Sequence, residues 1–294
     1  MDLCFDTSGI NRLYDDSERD VIVCALRAAS QVIITGLNVT EAAATPTEDT
    51  NRRIGLLRLE RKLSGTFRPL HVPNDLLQAV TIAYAEGRPT AVSTIEERQE
   101  GLWWALENPE GLPEEARQEA YAWMRSLEDP FTDAHRRARP EFQKIFSGPW
   151  RPLTASKLIK MFRSQEEFVH EMVAHLWKRL IGTDLSIESY RELIVRVPQW
   201  PLYLAGWAHA MQNRAIREQS YGAGNNPGAI DLLCAIYLPQ CDCFVTDDTR
   251  QRRALRVLNV LNPRKTKIIS YRELRRRLVL STDSVQTGVG CSDI

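Results

Sequence analysis

The sequence contains no run of 18 or more apolar residues, so no membrane-spanning helix is expected. Its opening, MDLCFDTSG, lacks a basic n-region and a long apolar stretch, so no secretory signal is expected either. Six cysteines, at 4, 24, 234, 241, 243 and 291, are too few and too scattered for a disulfide framework, and no Cys-x-x-Cys occurs. Cys241 and Cys243 would share one face of a strand, a poor geometry for zinc. A reducing cytoplasm is the expected setting. Net charge is absent too, because 38 Lys+Arg balance 38 Asp+Glu. That balance excludes a protein that coats nucleic acid or anionic membrane through bulk charge, and leaves a polyanion to be met by a local patch.

What is present is a 294-residue chain, 43% hydrophobic and 26% charged, enough for a substantial core and about two domains. The two ends alternate strand and helix. A short strand (Leu3–Phe5), a helix (Ser17–Ala29) and a β-branched strand (Val32–Thr35) open the chain. A helix (Gly228–Leu238), a strand (Cys243–Thr246), a helix (Thr249–Leu258), a strand (Lys267–Ser270) and a helix (Tyr271–Leu280) close it. This alternation predicts an α/β fold, a parallel sheet flanked by helices. Residues 51–221 read as helical nearly throughout and hold all seven tryptophans, at 103, 104, 123, 150, 177, 200 and 207. The expected organisation is an α/β domain from 1–50 and 222–281, a helical insertion with its own aromatic core at 51–221, and a loose tail at 282–294.

Charge is distributed unevenly. Residues 248–280 carry eleven Lys or Arg against Asp248 and Glu273, whereas 86–128 carry ten Glu against four Arg. Arg250, Arg252 and Arg253, directly after Asp248, are candidate contacts to backbone phosphates; a solvated helix face is the alternative reading.

The chemistry points to carboxylates at the ends of apolar segments. Asp6 follows Leu-Cys-Phe, Asp247 and Asp248 follow Cys-Phe-Val-Thr246, and Glu41 comes six residues after Val-Ile-Ile-Thr. In open parallel sheets the ligand crevice lies beyond the carboxyl ends of the strands, where these acids would converge. Each has a capping alternative: Asp6 for a helix from Thr7, Asp248 for one from Thr249, and Glu41 as the far end of an Asn38-Val-Thr-Glu41 capping box. Asp231 interrupts the apolar run 229–238, and Asn226-Pro227 already supplies that helix with an N-cap and an N1 proline. A buried carboxylate there has no local cation to offset it, and a metal ion would serve. Two unit charges about 5 Å apart repel by roughly 3 kcal/mol at an effective dielectric of about 20, so four such acids need a cation. Hard oxygen donors suit Mg²⁺ or Mn²⁺.

These segments resemble the PIN-domain nucleases. The likeness rests on Leu-Cys-Phe-Asp6-Thr-Ser-Gly, Ile-Ile-Thr-Gly-Leu-Asn-Val-Thr-Glu41, Ala-Ile-Asp231-Leu-Leu-Cys-Ala, Cys-Phe-Val-Thr246-Asp247-Asp248 and the closing Lys-Ile-Ile-Ser-Tyr-Arg-Glu-Leu, in the family's order. By the Thr-x-Asp spacing, Asp248 matches the fourth acid and Asp247 the variable position before it. The resemblance implies catalytic Asp6, Glu41, Asp231 and Asp248, and a metal held by Asp6, Asp231 and Asp248 with Asp247 beside them. It also implies hydrolysis of phosphodiesters, in RNA in preference to DNA, with Thr246 toward substrate. A toxin or defence effector is one setting. The 189 residues between Glu41 and Asp231 far exceed the family's usual connection, so neither substrate nor regulation carries over from it. A partner or inhibitor protein on the insertion and a homo-oligomer are separate expectations. A catalytically inactive PIN-like scaffold for protein or RNA is the alternative.

Other motifs carry less. His170 and His175 are spaced i, i+5 and diverge around a helix, so they do not share a metal. Gly222-Ala-Gly224-Asn-Asn-Pro-Gly228 lacks the Lys-Ser/Thr of a P-loop.

Overall fold

Strand periodicity decides which side chains meet across the sheet. Leu3, Phe5, Cys243, Val245, Val32 and Ile269 point to one face, and Cys4, Phe244 and Ile268 to the other, each set joining a different buried cluster. The computed structural model describes residues 1–88, 100–124, 140, 143–144, 153–217 and 229–286. Its four strands, β1 (Asp2–Phe5), β2 (Gln31–Ile33), β3 (Cys243–Val245) and β4 (Lys267–Ile269), pair in the order β2-β1-β3-β4, and every pairing is parallel. The fold is therefore α/β, an all-parallel sheet covered by helices on both faces, which is why its central strands lack a polar side. Among the described residues no helix is long and apolar enough to cross a membrane.

Helices α1 (Thr7–Tyr14), α2 (Arg19–Ala29), α3 (Gly36–Ala43) and α4 (Thr50–Ser64) follow β1 and β2. Apolar residues three and four apart mark the inner faces of α1 and α2, where Ile10 and Leu13, and Ile22, Val23 and Leu26, are buried against the sheet. Helix α4 lies against β2 and α1 in that same core, so packing does not break at residue 50. The chain then returns to the sheet: Leu70 donates to the Ile34 carbonyl at 2.8 Å and accepts from Gly36 N–H at 2.7 Å.

The middle of the chain adds α5 (Pro73–Ala85), α6 (Glu100–Glu107), a helical run at 114–124, α7 (Ala155–Ser164), α8 (Glu166–Ile181), α9 (Ile187–Arg196) and α10 (Gln199–Arg217). Its tryptophans do not form a separate core. Trp177 and Trp200 pack in the cluster that contains Cys4 and Phe244 of the sheet, Trp103 packs against the opposite cluster, and Trp104 is exposed. Trp150 lies outside the described residues.

The expected helix Gly228–Leu238 is instead a short α11 (Ala229–Leu233) running into a 3₁₀ segment, Cys234–Gln240, that contains Pro239. A proline removes the N–H donor that a longer α-helix would need there. Asn226 and Pro227 lie outside the described residues. Helix α12 (Thr249–Leu258) has the bounds expected from sequence, and α13 (Tyr271–Gln286) runs five residues into the stretch expected as a loose tail.

Helix α10 reaches α11 through a glycine. A Cβ at Gly206 would stand 2.7 Å from the Leu232 carbonyl oxygen, so only glycine permits this approach. Gly206→Ala should gain about 1 kcal/mol of helix propensity but lose about 1–3 kcal/mol to overpacking. The expected outcome in a thermal melt is a lower Tm; a higher one would mean that the two helices are not in close contact.

Candidate active site

The order β2-β1-β3-β4 makes the carboxyl end of the β1–β3 pair a topological switch point, because the chain leaves β1 toward β2 and returns on the other side as β3. Such a point opens a crevice between the departing loops. Here it is a cleft of about 270 Å³ whose lining includes Asp6, Glu41, Asp231 and Asp248.

Asp6 leaves β1 in extended conformation and caps α1, accepting from Gly9 N–H at 2.8 Å. Its own N–H donates to the Val245 carbonyl at 3.0 Å, which ties it to β3. The Ser8 hydroxyl faces both Asp6 oxygens at 2.9 and 3.0 Å and accepts from the backbone N–H groups of Asp247 and Asp248 at 2.8 and 3.1 Å. Thr246 Oγ1 lies 2.8 Å from Asp6 Oδ2 and 2.6 Å from Gln251 Oε1. A hydroxyl has one proton to give, so Thr246 donates to one of these two acceptors at a time.

Glu41 is available to the cleft because it does not cap. The capping box of α3 is made by Thr35 and Asn38: Asn38 N–H donates to Thr35 Oγ1 at 3.3 Å, and Thr35 N–H donates to Asn38 Oδ1 at 2.9 Å. The expected Asn38–Glu41 box is thus displaced one turn toward the N-terminus. Glu41 sits at the end of α3, hydrogen-bonded to Thr7 and within electrostatic reach of Asp231 and Asp6. Asp231, on α11, is half-buried rather than enclosed, and its backbone carbonyl accepts from Gln251 Nε2 at 3.2 Å.

Asp248 lines the cleft while also capping α12, accepting from Arg250 and Gln251 N–H at 2.6 and 2.9 Å. The other two residues of the motif depart from expectation. Asp247, expected beside the metal, does not line the cleft and instead pairs with Arg12 at 2.8 Å. Consecutive residues in extended backbone point opposite ways, so Asp247 and Asp248 cannot both turn inward. Thr246, expected to touch substrate, is wholly buried and holds Asp6 from behind. Arg250 and Arg253 are exposed on α12, and Arg252 is half-buried with a 3.4 Å hydrogen bond to Thr249. Ser8 and Gln251 carry no motif that marks them in the sequence, and Asn38 reads there as an N-cap; the Ser at i+2 from Asp6 is the one local signal for such a bridge.

Burial pushes the Asp6 carboxyl up to about 7 despite hydrogen bonds from Gly9, Thr246 and Ser8, and Asp231 adds repulsion. Burial likewise pushes Glu41 up to about 7, with Asp231 and Asp6 adding to it. Cys234 shares the cleft, but burial and the same three acids raise its thiol, so no thiolate competes as a ligand. The donor set is hard oxygen, which fits Mg²⁺ or Mn²⁺ and disfavours zinc. Among the described residues no three His, Cys, Asp or Glu side chains are gathered tightly enough to chelate one ion. Asp6 and Asp248 spend oxygens on helix N–H groups instead, and a cation would compete for them. No family model, no curated protein and no solved structure matches this chain.

A carboxyl raised on folding binds a proton more tightly in the native state, so its contribution to stability falls as pH rises through the folded value. For Asp6 and Glu41 that window ends just above pH 7. His209, which burial lowers to about 4, works in the opposite direction and has finished by about pH 6.5. Tm should therefore drop between pH 6.5 and 8 in EDTA, and Mn²⁺ at pH 8 should restore it in the parent but not in Asp231→Asn. A Tm at pH 8 indifferent to Mn²⁺ would contradict this account of the cleft.

Proposed function

We propose that this chain is a Mg²⁺- or Mn²⁺-dependent nuclease of PIN-like architecture, an endoribonuclease in preference to a deoxyribonuclease, with residues 51–221 as a helical insertion. The observation that carries this reading is the meeting of Asp6, Glu41, Asp231 and Asp248, drawn from both ends of the chain, in one cleft at the switch point of a parallel sheet. Asp6, Glu41 and Asp231 feel one another electrostatically, an arrangement that favours cation binding.

A bound divalent ion would supply a hydroxide nucleophile at neutral pH and charge stabilisation for the leaving 3′ oxygen. The chain's own part is positional. Asp6, Asp231 and Asp248 would hold the ion, with Glu41 direct or through water. Thr246 and Ser8 fix the Asp6 carboxylate from behind, and Gln251 ties Thr246 to the Asp231 backbone. Arg250, Arg252 and Arg253 begin on the helix that Asp248 caps, which suits them to backbone phosphates and keeps the repulsion between polyanion and acidic cleft in check.

A second reading, an inactive PIN-like scaffold, is favoured by one observation: Asp6 and Asp248 are already satisfied by protein N–H and O–H groups. The two separate in a cleavage assay on single-stranded and structured RNA with and without Mn²⁺. The expected result is Mn²⁺-dependent cleavage that leaves 5′-phosphate ends and falls about 100-fold or more in Asp6→Asn and Asp231→Asn. Cleavage that persists in EDTA or in Asp231→Asn would sink the nuclease reading. Absence of cleavage together with tight binding of RNA would favour the scaffold.

A further inference from the structure

A second, larger cavity lies away from the acidic cleft, beside the start of edge strand β2 and between the last turns of α2 and α4. It has a volume of about 750 Å³, within the range of small-ligand sites. Four cations line it, Arg27, Arg58, Arg61 and Lys62, against two acids, Glu107 and Glu110. Both acids come from the opposite wall, where Glu110 pairs with Arg58, and Glu107 with Arg61 at 2.7 Å. The Arg58–Glu110 pair is exposed and so worth little, as is the pair of Lys62 with Asp20 at 3.0 Å, which leaves Arg58 and Lys62 open to a stronger anion. Arg61, by contrast, is half-buried, bonded to the Gly65 carbonyl and stacked over the Trp103 ring. Arg27 is exposed and makes no ion pair among the described residues. The Ser30 hydroxyl is buried in the same lining without a hydrogen-bond partner among the described residues.

Two features make the groove unlike a bare phosphate site. The C-termini of α2 and α4 end there, and their carbonyls offset part of the positive charge while offering acceptors to ligand N–H groups. Phe67, 48% exposed, stands in the lining after Gly65 (φ 60) turns the chain out of α4. An anion with an aromatic ring and N–H donors matches this set better than an inorganic ion does.

We propose that this groove binds a nucleoside phosphate, with the phosphate on Arg27 and on Arg58 and Lys62, whose exposed ion pairs it would displace, and the base against Phe67. The proposal does not depend on the nuclease reading. The ligand is either a free nucleotide or the 5′-phosphorylated end of a strand, which present the same chemistry.

Titration calorimetry of the full chain at low salt in EDTA tests it, because without a cation the acidic cleft repels phosphate. The probes are ATP, a 5′-phosphorylated tetraribonucleotide, adenosine and pyrophosphate. Saturable binding of ATP or of the tetranucleotide is expected, and the tighter of the two identifies the source. Arg27→Glu should weaken both about tenfold or more through loss of charge-assisted hydrogen bonds. Phe67→Ala should weaken the base-bearing probes about tenfold and leave pyrophosphate unchanged. Both positions are exposed, so both variants should melt with the parent. No binding of ATP or tetranucleotide at millimolar concentration, or binding that neither substitution alters, would overturn the proposal.

Discussion

The hydrogen bond from Thr246 Oγ1 to Asp6 Oδ2 joins residues 240 positions apart, and the candidate site depends on it. It exists because β1 and β3 pair in parallel, Phe5 opposite Val245, so that the residues just past each strand emerge side by side. Parallel neighbours require a long crossover, and here the crossover holds most of the protein. A helical middle could fill that distance without reaching the site, but this one reaches it: α10 presses Gly206 onto the turn that carries Asp231. The position of the third acid is therefore set by a helix remote from it in sequence.

The same convergence is energetically unfavourable in the absence of a cation. Burial and mutual repulsion lift Asp6 and Glu41 toward neutrality, and the chain offsets part of this with Gly9, Ser8, Thr246 and Thr7. Glu60, wholly buried on α4 and also within reach of Glu41, is likewise raised by burial, and its carboxyl oxygens have no partner among the described residues. Strained electrostatics of this kind concentrate at functional sites more often than in ordinary cores. The basic surface is different in character. Arg264 is held by Asp2 and Asp242, Arg275 by Asp16 and Glu18, and Arg277 by Glu273, so much of the positive charge near the C-terminus serves to fasten the sheet's periphery.

Sequence made the sheet legible because each strand is a short β-branched or aromatic run next to a helix signal, and Thr249–Leu258 is bounded by an N-cap and a strong amphipathic period. Asp6, Glu41, Asp231 and Asp248 stand out in the sequence as acids at the ends of apolar segments or inside one, and the structure lines one cleft with them. The inward turn of Asp248 and the outward turn of Asp247 were not, since that choice depends on Arg12, 235 residues away. Thr246 read as a substrate contact because its burial is decided by neighbours across the sheet. Asn38 outcompeted Glu41 for the cap because Thr35, held in extended backbone by its bridge to Leu70, was the better N-cap. The tryptophans misled by composition: a shared residue type in one stretch did not mean a shared core.

The central claim is that acids from both termini surround one divalent ion. Crystals of the intact chain soaked in Mn²⁺ and measured at a wavelength where manganese scatters anomalously would test it directly. The account predicts a single strong peak within coordination distance of Asp6 and Asp231 at the carboxyl ends of β1 and β3. A map with no peak in that cleft, while Asp6 keeps its bonds to Ser8, Gly9 and Thr246, would contradict it.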